Sequence, residues 1–336
     1  APRGFCAGVE MAIKALAWMV RVFQPPVYCY HEIVHNQLVV DRFRKLGVVF
    51  VEKVEDVPEG APLMLSAHGS APEVVAAARG NGGFVVDAVC PLVTKVHHEV
   101  KVRAGKGYSI LYVGHEGHDE AVGTMAVAPD AIHLVENEAD VAALPVPEQP
   151  VALLAQTTLS HQDWAGVLAA AQDRFPELWM PGRSDLCFAT TNRQSALTEI
   201  AGRADAIVVI GSANSSNTVA LEKVARGAGC PRVYRVNRPD ELPSDLSGVV
   251  GVTAGASAPE ELVRAVIDQL NPTHGVEVVR VTDEDEYFPP PRELRELLAG
   301  IDALVSITLG GPPPARSPVS DDRRVAASDV LDALSG

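Results

Sequence analysis

At 336 residues, 47% of them apolar and 21% charged, the chain is long enough for two or three domains of about 100 residues and too apolar for wholesale disorder. A net charge of -15 counts against nucleic acid as a partner, because a phosphate backbone is held mainly through Lys and Arg. No apolar stretch approaches the roughly 20 residues that cross a bilayer, and no charged-then-apolar leader opens the sequence. The expectation is a cytoplasmic protein with no membrane partner, whose five cysteines are buried, catalytic or metal-bound rather than paired in disulfides.

Cys6 opens CAGVEMAIKALAWMVRVF, which has helical apolar spacing and no Pro or Gly after Gly8, so the cysteine is placed at a helix start. VYCY from Val27 reads as a short strand ending at HEIVHN, and PLMLSAHGS from Pro62 as another ending at His68. From Ala88, AVCPLVTKVHHEVKV repeats the helix start, with Pro91 in the first turn where its missing N–H is tolerated. YSILYVGHEGH from Tyr108 and VALLAQTTLS from Val151 repeat the strand-to-loop transitions. The third occurrence is CFATTNRQSALTEIAGRA from Cys187, with strands in AIVVIGSANSSN from Ala206 and GVVGVTAGASAP from Gly248. Past about Pro272 the pattern stops. DEDEYFPPPRELRELL from Asp283 predicts a proline-stiffened crossing and a short helix, and GPPPARSPVSDDRR beyond Gly310 predicts a mobile linker.

Cys6, Cys90 and Cys187 thus recur about every 90 residues. A polar cluster follows each at about 25 to 29 residues (His31 and His35, His115 and His118, Ser212 and Ser216), and a second at about 62 to 70 (His68, Thr157, Ser257). One unit used three times predicts an α/β trefoil of three small domains, with a pseudo-threefold arrangement around a central cavity. The expected boundaries are 1–83, 84–180 and 181–271, followed by a C-terminal segment and mobile tail over 272–336. Strands alternating with helices predict parallel sheets, whose ligands sit beyond the carboxyl ends of the strands, where all six clusters fall.

Three converging thiolates suit zinc or an iron-sulfur cluster. No local CxxC pair favours structural zinc, whereas ligands spread over three domains suit a [4Fe-4S] cubane held at three irons with the fourth open. Cys29, inside a strand, and Cys230, after GAG, read as core residues. His35, His68, His118, Ser215, Asn217 and Ser257 offer donors to an anion, for which a diphosphate is the natural guess; each alone reads equally as a loop cap. Neither Walker A nor GxGxxG spacing occurs. Glu120, two residues after His118 and close to His115, is the proton-donor candidate if a neighbouring cluster and phosphate raise its pKa, against a surface helix-start role. Thr157 and Thr158 either bond a substrate hydroxyl or cap the helix begun at Ser160, and Arg193 suits a carboxylate or a phosphate.

PRGFCAGV, HEIVHN, SAHGS, CPLVTKVH, GHEGH, QTTLS, CFATTNRQ, GSANSSN and TAGASAP, in this order from Pro2 to about Leu294, together resemble the LytB/IspH family of 4-hydroxy-3-methylbut-2-enyl diphosphate reductases. The resemblance implies a trefoil around an oxygen-sensitive [4Fe-4S] cluster held by Cys6, Cys90 and Cys187. It implies a two-electron reductive dehydroxylation, the last step of the non-mevalonate isoprenoid route, with electrons from ferredoxin or flavodoxin. By motif, His35, His68, Ser215, Ser216, Asn217 and Ser257 would bind diphosphate, while His118, Thr157 and Glu120 would surround the allylic hydroxyl, Glu120 delivering the proton. Family members open with a short apolar strand before PRGFC, so the first sheet is expected to lack one here unless the sequence has been trimmed, and the extension after about Ala299 lies outside the family core. A cluster-bearing sensor without turnover and a zinc phosphohydrolase are the alternatives.

Overall fold

The computed structural model describes residues 1–312 and 322–335. They divide into two compact units. The first, built on a four-stranded sheet, comprises Ala7–Gly69, Glu73–Cys90 and Asp285–Gly336. It opens with α1 (Ala7–Val22), whose Met11, Ile13, Leu16 and Met19 are buried. There follow β1 (Val27–Tyr30), α2 (Gln37–Lys45), β2 (Val48–Val51), β3 (Leu63–Leu65), α3 (Pro72–Gly80) and β4 (Val85–Asp87). The strands pair in parallel in the order β2-β1-β3-β4.

The second unit, Ala1–Cys6, Ser70–Pro72 and Pro91–Glu284, carries two three-stranded sheets. Its elements are α4 (Pro91–Gly105), β5 (Ser109–Val113), α5 (Asp119–Met125), β6 (Ile132–Val135), α6 (Glu138–Ala143), β7 (Val151–Ala155), α7 (His161–Arg174), α8 (Phe188–Ala201), β8 (Ala206–Ile210), α9 (Ser216–Gly227), β9 (Val233–Val236), β10 (Val250–Ala254) and α10 (Glu260–Leu270). The parallel orders are β6-β5-β7 and β10-β8-β9. Alternate residues of β5 and β7 are buried on opposite faces: Ile110, Tyr112, Ala152 and Leu154 on one, Leu111, Val113, Leu153 and Ala155 on the other. Covering both faces makes these strands continuous apolar runs rather than alternating ones.

All three sheets share one plan, which bears out the threefold repeat. In each, the first strand is central, the second flanks it on one side and the third on the other. The first and third strands are therefore neighbours and end in register, Tyr30 against Leu65, Val113 against Ala155 and Ile210 against Ala254. Their chains leave toward opposite sides, the arrangement that opens a crevice at the carboxyl edge of a parallel sheet. Both polar clusters of each repeat emerge there.

The expected boundary at 83/84 falls too early. Leu63 N–H donates to the Phe84 carbonyl and β4 pairs with β3, so the first sheet extends to Asp87. The C-terminal tail also differs from expectation. After α11 (Arg292–Thr308), which is longer than a short helix, α12 (Ala327–Ser335) packs on α1. The buried Lys14 Nζ donates to the carbonyls of Val325 at 2.9 Å and Asp322 at 3.4 Å, and Glu10 Oε2 accepts from Ala327 N at 2.7 Å. Lys14 is also ion-paired to Glu10 of its own helix at 3.5 Å and to the Asp322 carboxylate at 3.6 Å, so the tail completes the shell of acceptors around a buried lysine and is tied to α1 by it. The linker expectation for the proline-rich stretch falls largely on residues 313–321, outside the described residues. Among the described residues, no helix is long and apolar enough to cross a membrane.

Candidate active site

Each repeated cysteine directly precedes a helix: Cys6 before α1, Cys90 before α4 and Cys187 before α8. In the two-sheet unit the chemistry gathers around Thr157, just past β7. Glu120, in the first turn of α5, is 3% exposed. Its Oε1 accepts from Thr157 N at 2.7 Å and its Oε2 from Thr157 Oγ1 at 2.9 Å. Those bonds favour the carboxylate, yet burial outweighs them, and with help from the negative charge of Asp185 the pKa of Glu120 rises to about 7. The surface helix-start role is thereby excluded. His118 caps α5, its Nδ1 accepting from Glu120 N at 3.1 Å, so the neutral ring carries its proton on Nε2.

Thr157 also joins the acid to the thiol, its carbonyl accepting from Cys187 N at 3.0 Å. Cys187 is the N-cap of α8, and its Sγ accepts from Thr190 N at 3.2 Å and lies 3.0 Å from Thr190 Oγ1. Burial, with Cys6 close enough to add to it, pushes the Cys187 thiol up to about 12 despite those contacts. A thiolate at this place therefore needs a cation. The donor set fits a soft metal centre: buried sulfur, a second cysteine within electrostatic range, and helix-start N–H groups to share the negative charge. Cys6 is fixed through its own N–H, which donates to the Ala256 carbonyl at 3.1 Å. Asn217 completes the frame, its Oδ1 accepting from Ala256 N at 3.0 Å and its Nδ2 donating to Thr190 Oγ1 at 3.3 Å.

Ser215 caps α9 by accepting from Thr218 N at 3.4 Å, which leaves its own O–H to donate. Ser216 Oγ accepts from Gln156 Nε2 at 3.1 Å and lies 3.5 Å from His115 Nδ1. Ser257 is buried in the loop after β10. The close approach that glycines allow here is made to Thr218: a Cβ on Gly211, at φ +147, would lie 2.4 Å from Thr218 Oγ1, and one on Gly255 only 2.1 Å. These glycines draw the start of α9 against the ends of β8 and β10. Thr158 accepts from Gln156, and Ser160 itself caps α7, so neither threonine of QTTLS is the cap.

Taken by itself, the four-stranded unit carries His35, His68 and Cys90. HEIVHN leaves β1 through His31, at φ 57, and Asn36 caps α2 by accepting from Val39 N. His35 and His68 stack with ring centroids 3.8 Å apart and planes 8° from parallel. Cys90 N–H donates to the Ala67 carbonyl at 3.0 Å, holding the thiol-bearing residue to the SAHGS loop. Cys29, inside β1, and Cys230, packed against Leu197 and Leu221, are core residues as expected.

Two polar residues of the site escaped the sequence. Gln156, fully buried, donates to Thr158 and Ser216 and accepts from His115 N. Asp185, 4% exposed, accepts from Lys95 Nζ and Ala155 N, both at 3.1 Å, and burial raises its pKa. A polar residue flanking a chemical motif was the only available signal for either. Arg193 does find a carboxylate, that of Glu284, at 2.8 Å.

A sequence model of the family described as LytB protein matches residues 1–271. The chain belongs to the LytB family. Among LytB relatives, the 4-hydroxy-3-methylbut-2-enyl diphosphate reductase of Rhodopirellula baltica is 49% identical over 305 residues, covering 89% of this chain and 95% of its own. The reductase of the same name from Streptomyces avermitilis is 45% identical over 322 residues, 94% of this chain and 95% of its own. The solved E-1-hydroxy-2-methyl-but-2-enyl-4-diphosphate reductase of Plasmodium falciparum superposes with a TM-score of 0.86 at 33% identity, covering 89% of this chain and 96% of that one. The LytB match stops ahead of the crossing segment, α11 and α12.

Proposed function

We propose that the chain catalyses the reductive dehydroxylation of 4-hydroxy-3-methylbut-2-enyl diphosphate to isopentenyl and dimethylallyl diphosphates, the last step of the non-mevalonate isoprenoid route. As a LytB protein of this kind it is an iron-sulfur oxidoreductase. The balance requires two electrons and two protons: the allylic C–O bond breaks, one proton completes the departing water and the other goes to an allylic carbon.

The observation that carries the assignment is the pairing of Glu120 and Cys187 on one residue, Thr157. A carboxyl group with a pKa of about 7 is protonated in useful amount at neutral pH and can give its proton to the leaving oxygen. Thr157 fixes both carboxyl oxygens, so the acid is aimed before substrate arrives. His118 Nε2–H supplies a second donor on the same helix start.

Cys6, Cys90 and Cys187 would hold a [4Fe-4S] cluster, which supplies electrons one at a time and a Lewis-acid position for the substrate oxygen. Ser215, Ser216, Asn217 and Ser257, with His35 and His68, would bind the diphosphate. The start of α9 assists, because the positive end of a helix dipole favours an anion. Ferredoxin or flavodoxin would deliver electrons, in the cytoplasm.

Anaerobic purification followed by iron, sulfide and zinc analysis tests the metal. About four irons and four sulfides, with absorption of a thiolate-held cubane near 400 nm, are expected. Addition of the allylic diphosphate and a chemical reductant should then yield both five-carbon diphosphates. One zinc and no labile sulfide would refute the assignment in favour of a phosphohydrolase.

A further inference from the structure

Arg193 has a fully buried side chain in α8, yet no step of the chemistry uses it. Its Nη1 donates to both carboxylate oxygens of Glu284, at 2.8 and 3.0 Å, and to the Ala189 carbonyl at 3.0 Å. Its Nη2 donates to the Gly4 carbonyl at 2.8 Å. Asn192 Nδ2 adds a further bond to Glu284, at 3.1 Å. All these residues belong to the two-sheet unit.

Gly4 lies two residues before Cys6 and has φ +75, a left-handed turn suited to glycine. The strap from Gly4 to Cys6 is thus pinned upstream by the Arg193 guanidinium and at Cys6 itself by the Ala256 carbonyl. Arg193 is on the same helix that Cys187 caps, and the Ala256 loop is held by Asn217. A buried ion pair is a poor source of stability, since apolar residues of similar volume often serve as well. What a planar guanidinium supplies instead is direction, with several bonds leaving one rigid fork.

We infer that Arg193 and Glu284 are positioning residues that latch the Cys6 strap to the Cys187 helix, so that the crossing segment beyond the LytB match helps retain the metal centre. The latch rests on Cys6 being a cluster ligand. Glu284 orients the guanidinium, and Arg193 transmits that orientation to Gly4. Without it, Gly4 loses the bond nearest Cys6 on its upstream side, and the Arg3–Glu260 pair and the Cys6 N–H bond to Ala256 hold the strap with less direction, so Cys6 is the thiolate that lets go first.

The test uses full-length protein purified without oxygen and treated with an iron chelator and iodoacetamide together, each cysteine being followed by mass spectrometry. Glu284→Gln weakens the latch. An Arg193→Met/Glu284→Leu double variant removes it while keeping the interior apolar, so a folding failure of the single variant leaves the question decidable. Glu277→Gln, seven residues ahead of Glu284 in the chain, is the control, since it breaks only an exposed pair with Arg203. Cys6 should be alkylated about tenfold faster in the first two variants, as expected for a newly permitted local opening. Cys187, Cys29 and Cys230 should keep their rates, and the control should match wild type. Loss of visible absorption on chelation should accelerate in parallel. An unchanged Cys6 rate overturns the latch, and so does a common rise at all four thiols, which would mark general loosening. Absence of iron-sulfur absorption from wild type would instead refute the cluster assignment, while the Cys6 rates would still decide whether the strap is latched.

Discussion

Replacing Thr157 by valine removes one of the two hydrogen bonds that hold the Glu120 carboxyl and leaves the other, from the Thr157 backbone N–H, in place. Valine has nearly the volume of threonine, so the burial that raises the pKa is unchanged. A hydrogen bond to an ionised group contributes about 1.5–3 kcal/mol, and one pKa unit corresponds to about 1.4 kcal/mol. Losing the bond therefore moves Glu120 upward from about 7 by roughly one to two units, since the bond favours the carboxylate over the acid. The proton-donating form is complete below the pKa and is lost above it, so the alkaline limb of the single-turnover rate should shift to higher pH. The carboxyl C=O stretch, assigned by its loss in Glu120→Gln, follows the same titration by infrared spectroscopy. A midpoint that stays put or moves down would refute the reasoning, because the hydroxyl would then be serving the neutral acid.

Glu120→Gln should lower turnover by about 10²–10⁴-fold while iron-sulfur absorption is retained, checked by product assay and spectrum. Because the folded pKa of about 7 exceeds the ordinary 4.5, the contribution of Glu120 to stability is complete below about 4.5 and is lost as pH rises through 7. The glutamine variant should accordingly be more stable than wild type at pH 8, by up to about 3 kcal/mol in denaturant titration. Gly255→Ala should cost roughly 1–3 kcal/mol through its clash with Thr218 Oγ1, and adding Thr218→Ala should recover part of that, read in a thermal double-mutant cycle. Deleting residues 322–336 should destabilise the four-stranded unit by about 3–5 kcal/mol, because Lys14 keeps only the Glu10 carboxylate, and Glu10→Gln with Lys14→Met in the truncated chain should offset much of the loss, measured by calorimetry.

Local pattern carried the helices behind Cys6, Cys90 and Cys187 and the first and third strand of every sheet, because each joins an apolar run to an abrupt polar loop. The flanking strands β2, β6 and β9 have only four residues each and end in no such loop, so nothing local marks them. β4 is a three-residue strand just before Cys90, and only its pairing with β3 assigns it to the first sheet. At the site, Glu120 was recognisable beside His118, but its clamp by a threonine 37 residues away depends on tertiary approach. Arg193 was legible as an anion partner; its carboxylate, 91 residues on, was not. Asp185 and Gln156 look like ordinary loop residues until folding encloses them. The C-terminal helix was hidden by the proline-rich stretch ahead of it, since composition does not reveal that Lys14 in α1 takes acceptors from residues 322–325.

That dependence gives the two ends of the polypeptide a shared fate. A helix whose lysine takes most of its acceptors from residues 322–325 cannot drift independently of them: loss of the tail leaves the ammonium with the Glu10 carboxylate alone, and an apolar residue at position 14 makes the tail's carbonyls redundant. Inheritance of the extension and of the lysine should therefore be linked across homologues. A shortened form trimmed to the end of the LytB match should be built only with position 14 changed as well.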